Sequence, residues 1–414
     1  MFKLRKYQQE LSNDCKVKLK DYKICILNAA VRTGKTHVAL NISKDYNNVL
    51  FITKKKAISS IQDDYSAANH SFNITIINYE SLHKVNGVFD LVICDESHSI
   101  ASFPKPSKRT KAVKSFVSND LLLLTGTLIP ESNAQIYHQL WVSKFSPYSK
   151  HKNFYSWHKT FGTPKTIYTS YGESKDYSIV DYKKVKTTID KLKVTITQSE
   201  AGFKTQINVK TLTCRMKPET TRIMNKLRKD SIVRGVNSSI VADTASKMLQ
   251  KLHQLSSGTI IVDNHDNEQT FKGVIIDDSK VNFIQEKFKG KKLAIFYYYK
   301  QEKAMLFNAF GNDITDDLKE FNETSKHIAL QQISGAEGIN LSAADVLIFI
   351  NFGFSNTKFI QAKDRLTTKD RESNDVYFIL SDSGIDSQVF RTVTAKEDYV
   401  TKTFIKDERI RLSN

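Results

Sequence analysis

"CILNAAVRTGKTHVAL", residues 25–40, decides how this chain is to be read. An apolar run suited to a strand gives way to Ala29-Ala30-Val31-Arg32-Thr33-Gly34-Lys35-Thr36, and then to a stretch of helical character. The spacing is that of G-x-x-x-x-G-K-[ST], with alanine at the first glycine position. A tight strand-to-helix turn aims backbone N–H groups and the positive end of a helix dipole at phosphate oxygens. In such a loop Arg32, Thr33 and Gly34 line the phosphates, Lys35 reaches the β- and γ-phosphates, and the Thr36 hydroxyl ligates Mg²⁺. A G-K-T tripeptide alone arises by chance, and its place between a strand and a helix is what gives it meaning.

Hydrolysis of a nucleotide also needs acids on a neighbouring strand. "DLVICDESH", residues 90–98, supplies two at the C-terminal end of an apolar run. Asp95 is placed to hold the metal and Glu96 to orient the attacking water. An acidic turn capping the next segment is the structural alternative, and the phosphate loop upstream favours the catalytic one. The expected ligands are a nucleoside triphosphate and Mg²⁺.

Outward from these motifs, short apolar runs alternate with amphipathic stretches, the pattern of a parallel α/β sheet. Runs at 23–29, 48–53, 73–78, 90–94 and 120–124 make a first α/β lobe over residues 1–145. Runs at 292–299, 327–333, 345–351 and 375–381 make a second over 256–414. Several are apolar at consecutive positions, as strands covered on both faces are. Between them, 146–255 reads as a mixed, largely helical insertion, basic and aromatic, with helices expected at 217–231 and 242–256 and a hairpin around "HDNE". Trp141 lies just before it and Trp157 near its start, and two readings stand for them, stacking on bases or packing of the insertion on a lobe.

The 414 residues carry a formal net charge of +18, an excess that points to a polyanion and above all to a nucleic-acid backbone. No apolar run approaches the length needed to span a bilayer, and the opening "MFKLRKYQQE" lacks the apolar stretch of a signal peptide. The cysteines, Cys15, Cys25, Cys94 and Cys214, are scattered, which fits buried thiols in a reducing compartment. The expected location is soluble and intracellular.

Taken together, these motifs resemble the superfamily-two helicases and translocases, in particular the Swi/Snf-type DNA translocases in a compact, phage-like form. That would place a phage-encoded protein in the cytoplasm of its host. "LRKYQQE" is similar to the family's adenine-reading segment, which implies Gln8 on the adenine edge. "NVLFITKKKAISSIQDDY" resembles the segment that grips the nucleic-acid backbone, implying Lys54 as a contact, with Thr53 where the family usually has proline. The basic loop after the acidic motif, with Lys105, Lys108, Arg109 and Lys111, resembles a DNA-facing loop. Thr125, Gly126 and Thr127 match the coupling motif that links phosphate state to lobe movement. "SGAEGINLSAADVLIFI" resembles a motif that touches nucleic acid through Gly338 and Asn340.

"QAKDRLTT" matches the family's last motif, in which glutamine and arginines reach the nucleotide. The resemblance implies roles for Gln361 at the nucleotide and Arg365 at the transferring phosphoryl group. The family's second arginine falls on Thr368, and Arg371 just beyond is the substitute, since a guanidinium matches phosphate oxygens better than the ammonium of Lys369. The fold implied is α/β, two RecA-like parallel-sheet lobes with ATP between them. The function implied is an ATP-dependent DNA helicase or translocase that moves along DNA, duplex favoured, through sequence-independent backbone contacts. No membrane and no obligate protein partner is expected. A strand-separating or branch-migration helicase on forked DNA or RNA is the rival within the class. An ATPase-inactive nucleic-acid-binding module is the rival from another.

Overall fold

Apolar runs become parallel strands here because both of their faces are covered. The computed structural model describes residues 4–68, 71–130, 132–169, 172–203, 206–235, 238–264, 271–332, 341–355, 373–395, 399 and 403–407. The chain divides into two units, Met1–Phe203 and Lys204–Asn414.

The first unit runs α1 (Lys6–Tyr22), β1 (Ile24–Ala29), α2 (Lys35–Ser43), β2 (Asn48–Thr53), α3 (Ile58–Ala67), β3 (Asn73–Asn78), β4 (Leu91–Cys94), α4 (Lys108–Lys114), β5 (Asp120–Thr125), α5 (Ile136–Trp141), α6 (Phe154–Phe161), β6 (Lys165–Thr169), β7 (Gly172–Asp176), α7 (Tyr182–Leu192) and β8 (Lys193–Ile196). Six of the strands form a parallel sheet in the order β3-β2-β4-β5-β1-β8, and β6 and β7 pair as an antiparallel hairpin. Along β1 and β5 successive residues alternate between two cores. Ile24, Ile26, Leu121 and Leu123 enter one, and Cys25, Leu27, Leu122 and Leu124 the other. Each fully buried leucine or isoleucine contributes roughly 1.5–3 kcal/mol.

The second unit runs β9 (Gln206–Cys214), α8 (Pro218–Asp230), β10 (Ile232–Arg234), β11 (Ser238–Val241), α9 (Ala245–Ser256), β12 (Thr259–Asn264), β13 (Phe271–Ile275), α10 (Ser279–Lys287), β14 (Leu293–Tyr297), α11 (Lys300–Phe310), β15 (Ile314–Thr315), α12 (Leu318–Glu323), β16 (His327–Gln331), β17 (Val346–Phe349), β18 (Ser373–Ser381) and α13 (Asp386–Thr394). Its parallel sheet has the order β15-β16-β14-β17-β18-β9, and β10 to β13 form a smaller antiparallel sheet. Phe296, Leu347, Phe349 and Phe378 fill one core, while Ile295, Val346, Ile348 and Ile379 fill the other. The architecture is α/β with two RecA-like lobes.

The stretch from 146 to 255 does carry α6 to α9, but it forms no unit of its own. Its β8 pairs with β1 and completes the first sheet, burying Val194 and Ile196. Strand β9 pairs with β18 along nine residues of the second sheet. The chain therefore divides at 203 rather than at 145 and 255, because two strands near the middle of this stretch, one on each side of that point, supply the edge strands of different sheets. Trp157 is fully buried, with the rings of Tyr137, Phe154 and Phe161 at 5.2, 5.7 and 5.2 Å. It packs, and presents no face to a base. Trp141 has the Lys114 ammonium 3.3 Å from its ring centre. All four cysteines are buried and free. Among the described residues no helix is long and apolar enough to cross a membrane.

Candidate active site

Strand order places the chemistry. Strands β4, β5 and β1 are neighbours running the same way. Their C-terminal ends therefore bring the acidic turn, Thr125-Gly126-Thr127 and the phosphate loop to one edge of the sheet. At such an edge open parallel sheets bind their ligands.

Ala29 ends β1 with its methyl in the core, 1% exposed, which is how the loop takes alanine where the motif has glycine. Lys35 opens α2 and donates from its ammonium to the Ala29 carbonyl at 3.0 Å, with Thr36 beside it, part-buried in the same turn. Arg32 and Gly34 both have positive φ, +68° and +83°. A Cβ on Gly34 would collide with the Gln8 amide, so glycine is required there by both conformation and space. The Thr33 hydroxyl turns back to the Ala30 carbonyl at 2.8 Å.

Gln8 is buried in the first turn of α1. Its Nε2 donates to the Thr33 carbonyl at 3.1 Å, and its Oε1 accepts from the Arg5 N–H at 2.9 Å. The residue expected on an adenine edge thus ties α1 to the phosphate loop. Tyr7 donates to the same Thr33 carbonyl at 3.1 Å, and Gln198 donates to the Val31 carbonyl at 3.1 Å.

Asp95 and Glu96 follow β4. One Asp95 oxygen accepts from the Thr53 hydroxyl at 2.8 Å and the other from the Glu96 N–H at 3.0 Å. Beneath the turn, the buried Tyr79 donates its hydroxyl to the Asp95 carbonyl at 2.6 Å. Burial and the neighbouring Glu96 charge push the Asp95 carboxyl up to about 6, against the opposing pull of the Thr53 hydroxyl and the Lys35 ammonium. Glu96 stands at φ +48°, ψ +57°, a left-handed conformation that costs a non-glycine residue about 1–3 kcal/mol. Its Oε2 lies 3.4 Å from His98 Nδ1. The next residue, Ser97, donates to Gln139 Oε1 at 2.8 Å, and Gln139 Nε2 donates to the Leu128 carbonyl at 2.8 Å. The acidic turn is thereby strapped to the loop that follows β5.

That loop also meets the phosphate loop. The Thr125 hydroxyl accepts from the Thr127 N–H at 3.0 Å. A Cβ built on Gly126 would lie 3.7 Å from Lys35 Nζ and 3.6 Å from the Ala29 carbonyl oxygen, so the two loops approach with about one carbon's width between them. Among the described residues no group of three or more His, Cys, Asp or Glu is placed to hold a metal. Mg²⁺ at a nucleotide needs none, since it takes one or two protein oxygens and fills its shell with water and phosphate. Thr36 and Asp95 offer the hard oxygens that suit it.

The cations expected at nucleic acid divide. Lys54 follows β2, and Lys105 and Lys108 are exposed, as is Lys111. Arg109 is committed within the fold, its guanidinium 2.5 Å from Glu80, 3.4 Å from the Ser99 carbonyl and 5.4 Å from the Tyr79 ring centre. Gly338, Asn340, Gln361, Asp364, Arg365, Thr368 and Arg371 lie outside the described residues. Thr53, Tyr79, Ser97, Gln139 and Gln198 join the site without having been expected in it. Only Thr53 carried a signal, as a departure from the proline usual at that place.

Residues 8–260 match the family described as SNF2-related domain. No curated protein sequence matches the chain. Among solved structures it is similar to the "Sulfolobus solfataricus SWI2/SNF2 ATPase core in complex with dsDNA". That likeness has 16% identity and a TM-score of 0.40 over 95% of this chain and 91% of the other.

Proposed function

This chain belongs to the SNF2-related domain family, and on that premise we propose that it is a DNA-dependent ATPase that translocates along duplex DNA. One observation carries the reading. Lys35, the Asp95-Glu96 pair and Gly126 gather at one edge of a parallel sheet, close enough for the Lys35 charge to draw on the Asp95 carboxyl.

In this reading the N–H groups of the loop and Lys35 hold the phosphates, with Gln8 and Gln361 toward the base. Thr36 and Asp95 hold Mg²⁺, which would neutralise charge between the β- and γ-phosphates. Glu96 orients the attacking water, and Arg365 and Arg371 stabilise charge on the transferring phosphoryl group. Thr125, Gly126 and Thr127 convey the phosphate state to the rest of the molecule. Lys54, Lys105, Lys108, Gly338 and Asn340 grip the DNA backbone without reading bases, as a tracking protein requires. Arg109 serves that grip indirectly, by holding Glu80 and the basic loop in place.

The test is steady-state ATP hydrolysis without nucleic acid and with duplex DNA, single-stranded DNA or RNA, beside a Lys35→Ala variant. Strong stimulation by duplex that the variant loses is the expected result, and displacement of a third strand from a triplex would then report movement. Preference for single strands or forks would replace the reading with a strand-separating helicase. Nucleic-acid binding with no hydrolysis under any condition would replace it with an inactive binding module.

A further inference from the structure

The second unit carries a basic groove that none of the nucleotide or nucleic-acid motifs includes. It encloses about 720 Å³ beside α8 and the segment that leads into it, and four cations line it, Arg215, Arg222, Lys226 and Lys229. The three on α8 follow the i, i+4, i+7 spacing of one helix face. All four are exposed, and none pairs with an acid among the described residues.

Other basic residues of the same stretch have structural duties. The Lys217 ammonium pairs with Asp278 at 2.6 Å, and the Arg228 guanidinium donates to the Ser383 carbonyl at 3.4 and 3.5 Å. Two acids, Asp230 and Asp382, share the groove with the four cations among the described residues, and Asp382 also accepts from the Met216 N–H at 3.2 Å; the lining keeps an excess of positive charge. Like charges at i, i+4 destabilise a helix, a cost that a bound polyanion removes.

We infer that this groove is a second nucleic-acid contact that takes the phosphate backbone of duplex DNA. From Arg222 to Lys229 the helix rises about 10 Å, the length over which one strand of a duplex presents roughly three phosphates at 3.4 Å each along the axis. Among the described residues no aromatic side chain lines the groove, so they offer no platform for stacked single-stranded bases. Its chemistry is that of sequence-independent backbone contact. The inference rests on the reading that the chain works on DNA, and it adds a hold that the motor motifs do not provide.

The experiment compares the full chain with an Arg222→Gln, Lys226→Gln, Lys229→Gln variant. A labelled duplex oligonucleotide is titrated by fluorescence anisotropy between about 50 and 200 mM KCl, without nucleotide. The expected result is a plot of log K against log salt that is shallower by about two to three units, at roughly 0.9 per phosphate. The DNA concentration for half-maximal ATPase should rise while the rate at saturating DNA is unchanged. Lys217→Gln, which removes one charge from the same stretch but outside the groove, should leave the slope alone.

An unchanged slope in the triple variant overturns the inference. So does a fall per charge in Lys217→Gln as large as that in the triple variant, which would mean that net charge alone is at work. Retained duplex binding with loss of binding to poly-glutamate would assign the groove to an acidic protein instead. Binding of duplex with the expected slope change but no DNA-stimulated hydrolysis would keep the groove and sink the translocase reading. A wild-type chain that binds no duplex sinks both.

Discussion

Asp95 hangs between opposing influences, burial and Glu96 raising its carboxyl to about 6 while the Thr53 hydroxyl and Lys35 lower it. A hydrogen bond to a charged group is worth about 1.5–3 kcal/mol, or roughly one to two pKa units. Thr53→Val should therefore move the acid limb of the ATPase pH profile to higher pH by about that much, and raise the Mg²⁺ needed for half-maximal rate near neutrality. The sign for stability follows from the same shift. A carboxyl raised above its unfolded value of about 3.9 holds its proton more tightly when folded, so stability falls as pH rises from there through about 6. Above that range ionised Asp95 is a standing cost. Asp95→Asn should then raise the thermal midpoint at neutral pH by a few degrees, an effect that disappears at acid pH, while hydrolysis is lost. A midpoint that falls at neutral pH would show that the carboxylate is stabilised by more than Thr53 and Lys35.

At the scale of elements, the strap from Ser97 through Gln139 to the Leu128 carbonyl joins α5 to two loops of the site. Both Ser97 and Gln139 are fully buried. Gln139→Leu leaves the Ser97 hydroxyl and the Leu128 carbonyl unpaired, which should cost about 1–3 kcal/mol in urea unfolding. Because Glu96 is held in a strained conformation by the residues around it, the turnover rate should drop with little change in the KM for ATP. An equal rise in KM would mean that the strap supports binding rather than the acidic turn. Gly34 is bound by a different constraint, set where α2 meets α1. Gly34→Ala forces a left-handed alanine against Gln8 and should destabilise the first unit by about 1–3 kcal/mol.

Over the whole molecule, charge and burial act at different places. The second unit contains a buried ion pair, Lys280 with Asp386 at 2.8 Å, both about 1% exposed or less. Lys280 also donates to the Ile350 carbonyl at 3.1 Å, and Asp386 accepts from the Ser381 N–H and hydroxyl at 2.7 and 2.8 Å. Lys280→Met strands a bonded carboxylate in the core and should cost about 3–5 kcal/mol in urea unfolding, whereas Lys210→Met, at the exposed Asp375 pair, should leave the urea midpoint nearly unmoved. Lysine and apolar runs were equally visible in the sequence, but which lysine is buried was not. By itself the sequence determined the parallel strands, the phosphate loop and the two acids after β4, because hydrophobic period and motif spacing are properties of neighbouring residues. Only the tertiary structure decided that β8 and β9 close the two sheets, that Arg109 is spent on Glu80, that Thr53 tunes Asp95, and that four cations of 215–229 share a groove. Each of these depends on a partner distant along the chain or on the curvature of a folded surface, and neither leaves a local pattern to read.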